Sequence, residues 1–327
     1  MKKVLEVRNL KTHFFTDKGV VKAVDGVNFD LYEGKTLGIV GESGCGKSIT
    51  SMSILKLIDK NGNIVDGSIM YGDKDIVKLP VEEMRKIRGN EISMIFQEPM
   101  TSLNPVFRIG DQIIESIKLH QDLSKQEAHD KAVNMLKLVG IPRAERVVYD
   151  YPHQLSGGMR QRAMIAMALA CDPKVLIADE PTTALDVTIQ AQILSLMNDL
   201  KEKTNTAIML ITHDLGVVAQ MADDVIVMYS GKVVESAEVK ELYGNPKHPY
   251  TQGLLDSIPD LKSEKKRLNS IEGVVPNPME LPKGCYFAPR CKFAVDKCWQ
   301  EEPGVYFIDK EKNGETHQVK CFLYEDK

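Results

Sequence analysis

The chain has 327 residues, with 42 Lys+Arg against 46 Asp+Glu and a net charge of −4. That length predicts about two domains with a full apolar core, and the charge balance argues against a protein built mainly to grip a nucleic-acid backbone, which carries a basic excess. The longest apolar stretch, near 163–171, is about half of the roughly 20 residues that cross a bilayer, so no membrane span is expected.

The start, MKKVLEVRNLKTHFF, opens with two lysines after Met1 but has no apolar signal core, which predicts a cytoplasmic chain. Residues 1–35 alternate apolar and polar positions and are punctuated by Gly19 and Gly34, the pattern of short strands and turns. TLGIV at 36–40 has the composition of a strand buried in a parallel sheet. GESGCGKS follows, and SITSMSILKLI continues with helical spacing. Strand, glycine loop and helix are the context that a phosphate loop requires.

Residues 61–80 are turn-rich with a possible strand at SIMYG, 81–90 look helical, and EISMIFQ looks like a strand. The stretch 109–170 is mostly helical, interrupted near 140–142, and predicts a separate lobe at about 100–170. KVLIAD and TAIMLIT are two more buried strands with a helix at 187–203 between them, and DDVIVMYSGKVVE is a hairpin turning at Ser230-Gly231. Strands alternating with helices predict an α/β core around a parallel sheet. After about residue 240 Pro and Gly become frequent, and SEKKR at 263–267 forms a short charged run of the kind found on a solvated face or linker.

The segment Gly41, Glu42, Ser43, Gly44, Cys45, Gly46, Lys47, Ser48 matches GxxxxGK[ST], with Ile49 next. Glycines let the backbone curl so that its N–H groups face phosphate oxygens, and the helix adds its positive end. Lys47 would reach the β- and γ-phosphates and Ser48 would ligate Mg²⁺. The apolar strand at 175–178 ends in Asp179 and Glu180. Asp179 suits a Mg²⁺-holding carboxylate and Glu180 a base that polarises the attacking water.

Of six cysteines, Cys45 and Cys171 stand alone, whereas Cys285, Cys291, Cys298 and Cys321 crowd the last 43 residues. In a reducing compartment such clustering points to a metal or cluster before disulfides. The spacing C-x5-C-x6-C-x22-C matches neither the tight pairs of structural zinc sites nor the ferredoxin patterns. Taken alone it leaves zinc, iron–sulfur and free or bridged thiols open.

Leu155-Ser156-Gly157-Gly158-Met159, opening a helix, resembles the LSGGQ signature of ATP-binding-cassette (ABC) transporter subunits, with Met159 in place of Gln. Other elements of that family follow in order. Gln97 in IFQEP resembles the Q-loop glutamine, which contacts Mg²⁺ and the attacking water, and 184–186, ending in Asp186, resembles the D-loop. His213 in ITHD resembles the switch histidine near the γ-phosphate. Phe14, with Phe15 as alternative, matches the aromatic that stacks on adenine.

The resemblance implies a P-loop NTPase fold with a RecA-like parallel core, an antiparallel β subdomain and an inserted helical lobe. It also implies a head-to-tail pair of subunits sandwiching two ATP molecules. Ser156, Gly157 and Gly158 would then serve ATP bound mainly by the partner, while Lys47, Gln97, Glu180 and His213 form the catalytic set. FQEPMTSLNP, HPYTQGLL at 248–255 and CYFAPRC with two later cysteines are similar to the oligopeptide/dipeptide importer branch. That branch implies a cassette at 1–245 and a docking extension at 246–327, whose four cysteines ligate a [4Fe–4S] cluster, with Zn²⁺ the alternative. It further implies a peripheral position on the cytoplasmic face of the membrane. The implied partners are a second ATPase subunit (another chain, or a copy of this one), two transmembrane permease subunits and, indirectly, an extracytoplasmic peptide-binding protein, with no nucleic acid. Import of nickel or another small solute is the alternative within transport. A soluble ABC ATPase acting on nucleic acid or ribosomes is the alternative outside it, but no second cassette or long coiled coil accompanies this one. An iron–sulfur electron carrier is less consistent with a complete hydrolytic set.

Overall fold

The computed structural model describes residues 1–97, 102–183, 186–257, 271–308 and 317–325. In chain order its strands and helices begin with β1 (Lys3–Thr16), β2 (Gly19–Tyr32), β3 (Thr36–Val40), α1 (Lys47–Ile54), β4 (Gly62–Tyr71), β5 (Lys74–Asp75), α2 (Val81–Ile87) and β6 (Ile92–Ile95). There follow α3 (Ile109–His120), α4 (Lys125–Leu138), α5 (Ala144–Val147), α6 (Gly157–Leu169), β7 (Val175–Asp179), α7 (Val187–Thr204) and β8 (Ala207–Ile211). The last are α8 (Leu215–Met221), β9 (Asp224–Tyr229), β10 (Lys232–Glu238), α9 (Val239–Gly244), α10 (Pro249–Asp256), α11 (Asp296–Gln300), β11 (Tyr306–Ile308) and β12 (His317–Val319). No helix among the described residues is long and apolar enough to cross a membrane. The charged run at 263–267 lies outside the described residues.

The chain divides into two compact units. The first comprises Met1–Val4, Leu31–Lys35 and Lys78–Leu210. Its strands run in the order β8-β7-β6, with β6 and β7 parallel. Every residue of β6, β7 and β8 is buried, which is why these segments read as unbroken apolar runs. The helices α3 to α6 fall in the same unit as β6, β7 and β8. Ser124 and Glu127 form a reciprocal capping box that starts α4.

The second unit comprises Leu5–Asp30, Thr36–Val77 and Ile211–Lys327. It contains an antiparallel sheet in the order β2-β1-β4-β5 and a second run ordered β11-β12-β10-β9-β3. In that run β3 and β9 are parallel and the rest antiparallel. Ser230 and Gly231 turn β9 into β10 with φ of 46° and 85°, the positive pair that a tight hairpin of this hand requires.

Two expectations change. The short strands expected in 1–35 are two strands of 14 residues each. Gly19 and Gly34 do punctuate them, but the pairing of β1 with β4 persists through register shifts between Arg8 and Thr12, where Asn9 has φ of 47°. Helix α1 is shorter than its apolar spacing, because Lys56 adopts a left-handed φ of 50° two residues after Ile54.

Candidate functional site

In the second unit β3 delivers the chain into the glycine loop at 41–46. Gly41 and Gly46 have φ of 150° and 102°. A side chain at Gly41 would strike the Met228 carbonyl, and one at Gly46 the Ala23 carbonyl. Glycine is therefore required twice by backbone packed behind the loop. Gly46 caps α1 with no side-chain partner for its first N–H groups, leaving those donors available to an anion. The buried Lys47 ammonium lies back over the loop, donating to the carbonyls of Gly41 at 2.8 Å and Glu42 at 3.1 Å. Ser43, Gly44 and Ser48 are exposed and Ile49 is half-buried. Cys45 is buried beneath the turn, and burial pushes its thiol up against the opposing pull of Lys47.

The same unit holds His213 and Phe14. Thr212 donates its N–H to the Ile39 carbonyl at 3.4 Å, which sets the chain after β8 beside the strand feeding the loop. His213 follows, exposed, and Asp214 caps α8 by accepting from Gly216 and Val217. The Phe14 ring packs over Gly62, its cross-strand partner, whereas Phe15 is 49% exposed.

The first unit holds the carboxylates. Asp179 is buried at the end of β7. Glu180 follows with a left-handed φ of 48°, a conformation costing a non-glycine residue about 1 kcal/mol. Its Oε2 accepts from Gln97 Nε2 and from Thr183 Oγ1, each at 2.9 Å. Gln97 and Glu180, 83 positions apart, are thus brought together.

Ser156 caps α6, its hydroxyl accepting from Met159 N–H at 3.3 Å, so the residue standing where the family has Gln lends its amide to the cap. Leu155 is buried while Ser156 and Gly157 are exposed. A methyl at Gly157 would meet nothing within 4 Å, and one at Gly158 would meet Ile189 Cγ2 at 3.3 Å. Asp186 caps α7 by accepting from Ile189 N–H at 3.0 Å. Ala184 and Leu185 lie outside the described residues, as do Glu98 and Pro99 of the IFQEP segment. The buried Gln161, one turn into α6, donates to the Pro181 carbonyl and ties the signature helix to the residue after Glu180.

Three tail residues are not marked as site residues by any local motif. Tyr250 accepts from the Glu42 N–H at 2.8 Å, and Arg290 forks onto the Glu42 carboxylate at 2.6 and 3.0 Å. Tyr286 donates to Asp25 at 2.8 Å. These partners lie between 208 and 261 positions apart, so no local pattern betrays them. The available signals are the HPY and APR segments themselves.

The cysteine tail belongs to the second unit. Cys285, Cys291, Cys298 and Cys321 are free thiols lining one cavity of about 140 Å³, walled by Phe287, Phe293 and Phe322. Burial, reinforced by the neighbouring thiols, pushes Cys285 and Cys321 up to about 11. Among the described residues no three His, Cys, Asp or Glu side chains are arranged to hold a single metal ion. Next to the cavity His248 is fully buried against Phe287, and desolvation lowers it to about 4. Glu235 ties the tail to β10, accepting from His317 at 2.6 Å and from the amides of Lys247 and His248 at 2.6 and 2.8 Å.

A glycine loop between a buried strand and an uncapped helix, a glutamine on a strand-end carboxylate, and an exposed serine–glycine helix start together define the nucleotide-binding subunit of an ABC transporter. The ABC transporter family matches residues 24–183. The solved dimeric ATP-binding cassette MJ0796, in a post-hydrolysis state with ADP and Pi, is similar with a TM-score of 0.66 at 27% identity. That likeness covers 72% of this chain and 98% of the other. The structure of cbiO1 from Clostridium perfringens is similar with a TM-score of 0.63 at 27% identity, over 75% of this chain and 92% of that one.

The chain belongs to the oligopeptide and dipeptide transport ATP-binding proteins within that class. The family described as the C-terminal region of oligopeptide/dipeptide transporters matches residues 234–298. The oligopeptide transport ATP-binding protein AppD of Bacillus subtilis is 58% identical over all of this chain and 98% of its own length. The dipeptide transport ATP-binding protein DppD of the same organism is 50% identical over all of this chain and 96% of its own length. The oligopeptide transport ATP-binding protein OppD of Haemophilus influenzae is 53% identical over 91% of this chain and 92% of its own.

Proposed function

We propose that this chain hydrolyses ATP to drive import of dipeptides or oligopeptides through a membrane transporter. It would do so from the cytoplasmic face, docked on two transmembrane subunits and paired with a second ATPase subunit. The observation that carries the reading is likeness along the entire chain, cassette and cysteine tail together, to peptide transport ATP-binding proteins. Residues 1–245 act as the cassette and 246–327 as its docking extension.

In this reading Lys47 moves from the carbonyls of Gly41 and Glu42 to the phosphates, and the loop amides and the start of α1 neutralise the rest of the charge. The buried Asp179, the exposed Ser48 and Gln97 are hard oxygen donors of the kind that Mg²⁺ takes. When bound, that ion neutralises charge on the transferred phosphoryl group. Glu180 accepts the proton of the attacking water, oriented for it by Gln97 and Thr183, and His213 positions the γ-phosphate. Phe14, or the more exposed Phe15, stacks on adenine. Ser156, Gly157 and Gly158 meet the ATP held by the partner subunit, with Asp186 flanking that interface.

The four tail thiols are proposed to hold a [4Fe–4S] cluster that cross-links the loop-rich extension. Support comes from their convergence on one apolar cavity. Zn²⁺ is the alternative occupant of the same four thiols. Anaerobic purification should give about four irons per chain, and stoichiometric zinc would overturn the cluster.

The function is tested by co-purification from membranes. ATPase activity should depend on the transmembrane subunits and rise with a peptide-loaded binding protein. Stimulation by nickel or another small solute instead of peptide would overturn the substrate class, and stimulation by nucleic acid would overturn the transport reading.

A further inference from the structure

The Glu42 peptide is held from three sides. Its carbonyl accepts from Lys47, its N–H donates to the hydroxyl of the fully buried Tyr250, and its carboxylate takes both arms of Arg290. The Arg290 side chain is 4% exposed. Its remaining donors go to the carbonyls of Glu272 at 3.1 Å and Ile271 at 3.3 Å and to the Tyr229 hydroxyl at 3.5 Å. Tyr229, Tyr250 and Phe287 pack edge-on or tilted with centroids 4.7 to 5.4 Å apart and wall this corner in. A guanidinium so fully paired fixes a direction as well as a charge.

We propose that Arg290 and Tyr250 are positioning residues for ATP. They act through Glu42 to fix the first turn of the phosphate loop, including the carbonyl on which Lys47 rests before nucleotide arrives. The extension thereby sets the affinity of the nucleotide site as well as serving as a docking element. The inference rests on the reading that this loop binds ATP.

The full-length chain is assembled in its transporter and titrated with MgATP, measuring equilibrium binding and KM and kcat separately. Arg290→Met should raise Kd and KM about tenfold with kcat within about twofold. Arg290→Lys should recover only part of this, because an ammonium cannot fork. Tyr250→Phe should raise KM by a smaller factor. Glu42→Gln combined with Arg290→Met should be no worse than the poorer single variant, because both remove one interaction. Lys297→Ala, which cuts a surface ion pair of the tail with Glu325, should leave KM unchanged. Unchanged affinity in Arg290→Met and Tyr250→Phe, or additive losses in the double variant, would overturn the proposal. If Arg290→Met does not fold, Tyr250→Phe and Glu42→Gln still decide, since each must raise Kd. A wild-type chain that binds ATP no better than Lys47→Ala would instead overturn the ATP reading itself.

Discussion

Gln97 donates its side-chain amide to Glu180 Oε2 across 2.9 Å, on the same oxygen that Thr183 reaches at 2.9 Å. Two donors on one oxygen fix the direction in which the carboxylate points. Glu180→Gln keeps the shape and removes the basicity. ATP binding should persist, while turnover in the complete transporter falls by about 10² to 10⁴. Hydrolysis near the wild-type rate would remove Glu180 from the base role.

The buried β strands were legible because strands covered on both faces are written as unbroken aliphatic runs, as in TLGIV and VLIAD. The glycine loop was legible because its chemistry is local. The attachment of the tail was not. β11 and β12 have three residues each, too few for a periodic signal; β12 pairs with β10, where Glu235 also meets His317 82 positions later, and β11 pairs with β12. Arg290 likewise gains its meaning from Glu42, 248 positions away. Long-range polar pairs leave no period in the sequence, so this part of the site emerges only in the folded chain.

The Glu235 network carries a pH dependence. Burial alone would raise this carboxyl, but hydrogen bonds from His317 and the amides of Lys247 and His248 outweigh it and hold the group below its ordinary value. A carboxyl depressed in the folded state contributes stability above its unfolded pKa and loses it as pH falls through the folded value. Melting of the full chain should therefore weaken as pH drops from about 5 downward. Glu235→Gln should cost roughly 2 kcal/mol at pH 7, the scale of hydrogen bonds to a buried charged group, and should flatten this acid limb. Parallel melting profiles for the two proteins would show that Glu235 is not the group responsible.

Cys298 shares its cavity with three other thiols, whereas Cys171 lies apart, buried against the Ser116 carbonyl. Cys298→Ser should lower the iron content of anaerobically purified protein and expose the tail to proteolysis. Cys171→Ser should keep both at wild-type levels. Equal iron in the two variants would detach the metal from the tail.

Gly157 separates packing from function. The exposed helix start at Ser156 has no neighbour within 4 Å of a methyl added at Gly157, and alanine favours a helix over glycine by up to about 1 kcal/mol. Gly157→Ala should therefore melt at the wild-type temperature or above it and bind ATP normally at its own phosphate loop. In the assembled transporter the same methyl would stand where the partner's ATP must approach the backbone. Turnover should fall by about tenfold or more, because that contact matters only in the closed state. Pairing the variant with a wild-type second subunit should impair only the site that Gly157 completes. Full turnover in the assembled complex would mean that the open space at Gly157 is plain surface, and that this helix start does not receive nucleotide from a partner.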